Sequence, residues 1–301
     1  MNPTIVLAFA IGGISLAGPL TRLSGASALA IAAGRLGFSL VIVALALLTS
    51  GTWRQLRGLH RRDLAVAIAA GAMLAIHFWS WNVSLNLTTV SASVVLVDMQ
   101  PAIVGVLSIL WLHERPTSRQ WSGIAIAMAG AVVVTLPDLV REGMGSGGRA
   151  LLGDGLAFAG AIAGACYFVA GRKLRATLDL WPYVAVVYSA CFVVLLLAAV
   201  GTHATLLPQP PREWAIFAAL ALGPMLLGHT GFNYALRYVP AYVVNLALLG
   251  EPVGATILAA ALPGIRELPN WGTVLGGALI IYGIARATRA SRPVGPPEPV
   301  S

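Results

Sequence analysis

Ten apolar runs, each about as long as a bilayer-spanning helix, follow one another along the chain with only short polar breaks between them. They cover residues 4–21, 26–49, 64–84, 91–112, 120–137, 151–171, 182–201, 213–234, 240–262 and 271–288. A hydrocarbon core of about 30 Å takes roughly 20 residues of helix, and it holds no water to satisfy a free backbone group, so each run is expected to be helical. Ten such spans use about 200 residues and leave about 100 for connections and ends. Composition agrees. Only 10% of the 301 residues are charged, 58% are hydrophobic, and the mean hydropathy is +0.83. A soluble domain carries about a quarter charged residues. This chain could not cover a water-facing surface, which excludes an ordinary soluble enzyme, a disordered chain and a disulfide scaffold. The expected class is an all-α membrane protein with ten transmembrane helices, multi-pass in the cell inner membrane with the lipid bilayer as its main partner.

The breaks carry charge and turn chemistry: RQLRGLHRRD, HERPTSRQ, REGMGSGGR, RKLRATLD, LPQPPRE and PGIRELPN. Arg and Lys are distributed unevenly among them. With a cytoplasmic N-terminus, thirteen fall in inside segments, five outside, and Arg35 lies within span 2. The positive-inside rule then puts both termini in the cytoplasm, which requires an even number of spans. The net charge of +8 is accounted for by these loop anchors, so no nucleic acid partner is expected. Cys166 and Cys191 lie inside apolar runs without CxxC spacing or a His partner, and neither a metal site nor a cofactor is expected. No Arg or Lys precedes Arg22, so the first run reads as a retained span and not a signal peptide. The Pro-rich tail, 291–301, reads as disordered.

The two halves repeat. HFWSWNVSLNLTTVSASVVLVDMQPAIV in the first matches HTGFNYALRYVPAYVVNLALLGEPVGAT in the second. His77 aligns with His229, Val94-Val95 with Val243-Val244, Pro101 with Pro252, Glu114 with Glu267, Pro116 with Pro269 and Gly130 with Gly283. The units are 1–140 and 150–290. Each holds five spans, an odd number, so the two lie inverted in the membrane. That is a transporter architecture with its site near the midplane.

Arg35 in AAGRLGFSL, the segment ASVVLVDMQPAIVGVLSILWLHERPTSRQWSGIAIAMAG, and GDGLAFAGAIAGACYFVAGRKL with LLGEPVGATILAA in the second half together resemble the drug/metabolite transporter superfamily, as two EamA-type five-helix units. The likeness runs over residues 4–288 and departs at ALPGIREL, where relatives commonly show a Gly-Glu pair. It implies a ten-helix secondary transporter whose spans 1, 3, 4, 6, 8 and 9 line a central cavity. Family members move varied solutes, amino acids and drugs among them, and several are exporters. The resemblance therefore implies transport more strongly than any one substrate.

Ionisable groups at bilayer depth are costly and mark candidate sites. Asp98 stands mid-span in LVDMQPAIV. Pro101 lacks an N–H, which leaves the Val97 carbonyl without its helical donor, so Asp98, Gln100 and that carbonyl fall within one turn. The set suits an ammonium group or a carried proton; the alternative is a carboxylate capped for packing alone. Glu251 directly precedes Pro252 in span 9 and resembles the Glu-Pro of many relatives' second unit. The two carboxylates stand three and one residues before their prolines, which places them on different helix faces. His77, Trp81 and Ser84 share a face of span 3, and His229 and Asn233 repeat the i, i+4 spacing in span 8. These form either a cavity wall or, for Trp81, an interfacial belt. Arg35 must face protein or water, paired with a carboxylate such as Asp98 or gripping a substrate carboxylate. Ser15, Tyr167, Tyr234 and Asn245 complete the polar groups at depth.

Other motifs are weak. GMGSGG matches GxGxxG but follows no strand. The GxxxG pairs Gly160/Gly164, Gly250/Gly254 and Gly272/Gly276 are close-packing faces, the last a candidate homodimer contact. The expectation is an alternating-access transporter of a small-molecule solute, not an enzyme. The likeliest cargo class is amino acids or their derivatives, with export as the expected direction and protons as the expected coupling ion. The rival reading is a multidrug exporter of cationic compounds, with Asp98, Trp81 and Tyr234 as an aromatic cation site. A membrane enzyme would require a catalytic cluster near a membrane face.

Overall fold

The computed structural model describes residues 2–84, 86–142, 147–261 and 269–289. Every regular element among them is helical. The long helices are α1 (Pro3–Leu23), α2 (Ala28–Thr49), α3 (Arg61–Ser84), α4 (Ala92–Leu112), α5 (Ser118–Glu142), α6 (Gly148–Arg175), α7 (Leu180–Gly201), α8 (Pro211–Ala235), α9 (Ala241–Leu258) and α10 (Trp271–Thr288). Among the described residues, α1 to α9 are long and apolar enough to cross a membrane, while the 18-residue α10 carries Trp271 and Arg286 and is less apolar. Several starts are capped by the polar residue just before them. Ser27 accepts from the Ala30 N–H, Thr89 from Ala92 and Asn270 from Thr273, and Pro211 opens α8 at a position where its missing N–H is harmless.

Four of the helices are irregular at depth. In α4 the last regular bond runs from the Asp98 N–H to the Val94 carbonyl, 2.9 Å, and the Met99 N–H tightens to Leu96. The helix resumes at Gln100 with Pro101 in its first turn. In α9 the same happens one repeat later: Leu249 and Gly250 donate to Leu246 and Ala247, and the helix resumes at Glu251-Pro252. A proline that cannot donate, placed one or two residues into the second half, explains both breaks. Helix α1 breaks at Ser15 and Leu16. Helix α8 widens into a π-segment over Ala221–His229 around Pro224, whose missing N–H disrupts the regular ladder.

Helix neighbours come in exchanged couples. Helix α3 packs on α6 as α8 packs on α1; α3 on α7 as α8 on α2; α4 on α6 as α9 on α1. Pairs α5–α10, α2–α7 and α4–α9 map onto themselves. Replacing each helix by the one five later reproduces the set, as a two-fold between two repeats demands. Five crossings separate α1 from α6, so equivalent helices run in opposite directions.

The tightest crossing is α5 on α10. A methyl built on Gly130 would lie 2.7 Å from the Gly276 carbonyl oxygen, and one on Gly123 would lie 2.7 Å from that of Gly283. These contacts are themselves exchanged by the repeat that aligns Gly130 with Gly283. Gly272 likewise abuts Pro137 and the Val133 carbonyl. The Gly272/Gly276 face, expected as a homodimer contact, is thus filled from within the chain. The Glu114–Glu267 match, Arg266, the departure in ALPGIREL, most of GMGSGG and the 291–301 tail with Arg292 lie outside the described residues.

Gly276→Val places two methyls against the backbone of α5, and overpacking of this kind costs about 1–3 kcal/mol. The expected outcome is a thermal midpoint in detergent lowered by roughly 5 °C. The control Gly12→Val, where nothing lies within 4 Å of the added carbon, should leave it in place.

Candidate functional site

The polar groups at depth converge between α2, α3, α4, α6, α7, α8 and α9. Arg35 is 8% exposed, its guanidinium carbon is 3.9 Å from the centre of the Phe78 ring, and its Nε has no hydrogen-bond partner. The face of an aromatic ring is negative, which offsets part of the cost of a charge held this deep. His229 meets the same Phe78 edge-on at 5.5 Å and Tyr167 at 6.4 Å. The Asn233 amide donates to the Tyr167 hydroxyl at 2.6 Å, and its own carbonyl oxygen is buried without a partner. The Tyr188 hydroxyl lies 2.9 Å from that of Thr230, which donates to the Met225 carbonyl alongside the Thr230 backbone N–H at the end of the π-segment.

On the other wall, His77 Nδ1 lies 2.9 Å from the Gly160 carbonyl. A carbonyl only accepts, so the neutral ring carries its proton on Nδ1 and leaves Nε2 as an acceptor. Gly164 makes room for this arrangement: a methyl there would strike both the Gln100 side-chain oxygen and His77 Nδ1. The Gly160/Gly164 pair on α6 is therefore where His77 and Gln100 are seated, beyond simple close packing.

The carboxylates meet at the two helix breaks. Glu251 interacts electrostatically with both Asp98 and Arg35. Asp98 and Glu251 are half-buried, and Asp98 Oδ2 lacks a partner. They stand three and one residues before their prolines, each at the break of its own helix. The expected Arg35–Asp98 ion pair does not form; the carboxylate in the field of Arg35 is Glu251. Ser15 belongs to this layer, its hydroxyl 2.7 Å from the Ile11 carbonyl and 3.4 Å from that of Glu251. Gly254 leaves space for it.

Three expected residues lie elsewhere. Tyr234 stacks with Tyr238, ring centres 5.2 Å apart, near the charged ends of α6 and α8. Trp81 is half-buried with an unpartnered indole N–H, one turn from His77 along α3. Asn245 is wholly buried in α9 with neither amide atom partnered. Sequence reading missed Phe78, Tyr188 and Thr230. Phe78 follows His77 and so falls off the helical face that was traced, and polar groups on α7 were not sought.

A second polar cluster ties the connections at one end of the bundle. Arg172 donates to Glu114 at 2.7 Å and to the Leu236 carbonyl. Arg175, 2% exposed, donates to the carbonyls of Asn233 and Leu178. Arg237 pairs with Asp179 at 2.8 Å, and the Gln55 amide reaches the other Asp179 oxygen. Arg172 and Arg175 read as solvated loop anchors, yet both are buried. Their i, i+3 spacing on one face was the available signal. Partial burial pushes the Asp179 carboxyl upward, but Gln55 and Arg237 together outweigh it and hold it below the ordinary range. At the opposite end Glu213 binds the Ser24 hydroxyl and the Gly25 N–H, tying the α1–α2 turn to α8.

Comparison with known proteins bears on this arrangement. The sequence profile of the EamA-like transporter family matches residues 4–136 and again 151–288. A protein of Streptantibioticus cattleyicolor named "Probable terminal-alkyne amino-acid exporter" is 27% identical over 289 residues, covering 93% of this chain and 85% of that protein. The "Uncharacterized transporter YdfC" of Bacillus subtilis is 23% identical over 249 residues, covering 82% and 78%. A solved crystal structure at 19% identity superposes with a TM-score of 0.78 over 97% of this chain and 99% of its own, which shows the shared fold.

Because folding lowers the Asp179 carboxyl, its bonds stabilise the fold above the unfolded value near 3.9 and are lost as pH falls through the lower folded value. The gap in thermal midpoint between the wild type and Asp179→Asn should stay constant from pH 7 to pH 5 and close below about pH 4. A gap that widens with acid would show the sign to be wrong.

Proposed function

The chain belongs to the EamA-like transporter family, as a multi-pass membrane protein and not an enzyme, and from that premise we propose that it is an inner-membrane exporter of amino acids or close derivatives. What supports this reading is a buried cation, Arg35 over the Phe78 ring, with the Glu251 carboxylate in its field and Asp98 in the field of Glu251, both carboxylates standing at helix breaks. A zwitterion offers the complement, its carboxylate to Arg35 and its ammonium to Asp98 or Glu251. His77, Gln100 and Asn233 add neutral hydrogen-bonding capacity around the reacting charges. The relative named as an amino-acid exporter agrees with this class. A cationic drug fits less well, because the Phe78 face that would receive it is already covered by Arg35.

The proposed cycle is alternating access between the inverted units, with both termini cytoplasmic and protons moving against solute. In this cycle one of the two carboxylates carries a proton until a bound ammonium replaces it. Release of solute on the far side then allows reprotonation. The energy is the proton gradient, delivered as a difference in solute affinity between the two orientations.

Flux in proteoliposomes containing a pH-sensitive dye tests the proposal, with amino acids and lipophilic cations added singly. Amino acids should move the dye and lipophilic cations should not. Asp98→Asn is expected to lose flux driven by a pH gradient while keeping solute counterflow; a mutant with full proton-linked flux removes Asp98 from the coupling. Arg35→Lys keeps the charge but loses the planar fork that grips a carboxylate at two points, so transport should fall roughly tenfold or more. Unchanged transport would mean that Arg35 does not hold the solute.

A further inference from the structure

One turn beyond Arg35, toward the end of the bundle that holds the α1–α2 and α7–α8 connections, lies a cavity of about 280 Å³ between α2, α3 and α7. Each of the three helices carries part of the polar cluster and, a turn further along, part of this cavity's wall. On α2 the cavity wall is Ala32, three residues before Arg35. On α3 it runs from Phe78, the ring beneath Arg35, to Asn82, whose amide donates back to the Phe78 carbonyl at 2.7 Å. On α7 it is Leu195, four residues after Cys191, which lies with Tyr188 in the field of Arg35. Three or four residues of helix rise about 5 Å, the length of a short aliphatic side chain. Most of the lining is apolar: Ser27, Asn86 and Thr202 stand at the exposed mouth, and Asn82 is already bonded. A charged group carried to the inner end, between Ala32, Phe78 and Leu195, would therefore lose its water without recompense.

We infer that this cavity is the pocket for the side chain of the transported amino acid and sets its preference for uncharged, apolar side chains. The inference rests on the amino-acid reading above. With the solute carboxylate on Arg35, the α-carbon lies beside Phe78 and the side chain extends along the helices toward Ala32 and Leu195. Ala32 sets the depth on the α2 side, because nothing larger than a methyl intrudes there. The cavity's volume admits a leucine or phenylalanine side chain, and each methylene taken from water into it favours binding by roughly fourfold.

Counterflow in proteoliposomes reads the inference as a ratio. Alanine, norvaline, leucine and phenylalanine are compared on the wild type and on Ala28→Trp, which adds bulk from the exposed rim without entering the core. Wild-type affinity should rise along the series, and the leucine-to-alanine ratio should fall at least tenfold in the variant. Ala204→Trp, on the opposite rim, should do the same and serves if the first variant fails to fold. An unchanged ratio, including a uniform fall for every solute, overturns the assignment and leaves the cavity to lipid. A wild type that moves lipophilic cations but no amino acid overturns the functional reading instead, and the pocket with it.

Discussion

A helix broken inside hydrocarbon leaves backbone groups that no water will satisfy, and the arrangement of this protein follows from where those breaks are tolerated. They occur in α1, α4, α8 and α9, where prolines or polar side chains interrupt the ladder. The Ser15 hydroxyl turns toward the Glu251 carbonyl, and Thr230 closes the π-segment by giving both its N–H and its hydroxyl to the Met225 carbonyl. Because the breaks must face one another, so must the residues at them. That is how Asp98 and Glu251, from different repeats, come within each other's field. The site is a consequence of where irregular backbone can be housed.

The second constraint is distance of approach. Glycine pairs let α5 lie on α10, and α6 receive α3 and α4, at backbone separation. At Gly164 this does more than pack helices: it leaves the space that a Gln and a His then occupy. Small residues in a bilayer are commonly read as association surfaces, and here the Gly272/Gly276 pair is spent within the chain. The position of a glycine relative to its repeat partner distinguishes the two uses. Contacts that the two-fold exchanges, such as Gly130–Gly276 with Gly123–Gly283, belong to the inside of one molecule.

Much of this was legible in the sequence. Run length gave the helices, repeated His, Pro and Gly positions gave the two units, and charge at depth gave Arg35, His77, Asp98 and Glu251. What failed to show was anything that depends on crossing a break or an interface. Helical-wheel faces are counted within one helix and say nothing of which residues of α4 and α9 stand near one another across the interface. Phe78 was passed over as an ordinary apolar neighbour, since its importance comes from the guanidinium that another helix lays on it. Arg172 and Arg175 read as loop anchors by composition, and only the fold reveals that α8 carbonyls bury them.

Asn233 joins the two polar clusters and ties them mechanically. Its side chain donates to Tyr167 within the site, while its backbone carbonyl receives Arg175 from the cluster at the bundle's charged end. Neither bond can shift far without the other, because both belong to one residue of a short helical turn, Thr230–Ala235. That turn follows the π-segment, where the ladder is already wide and a change of register is cheap. A displacement of Asn233 therefore disturbs the Tyr167 and Arg175 contacts together. Loss of those contacts would leave Arg175 buried without acceptors, a cost that holds this end of α8 to α6.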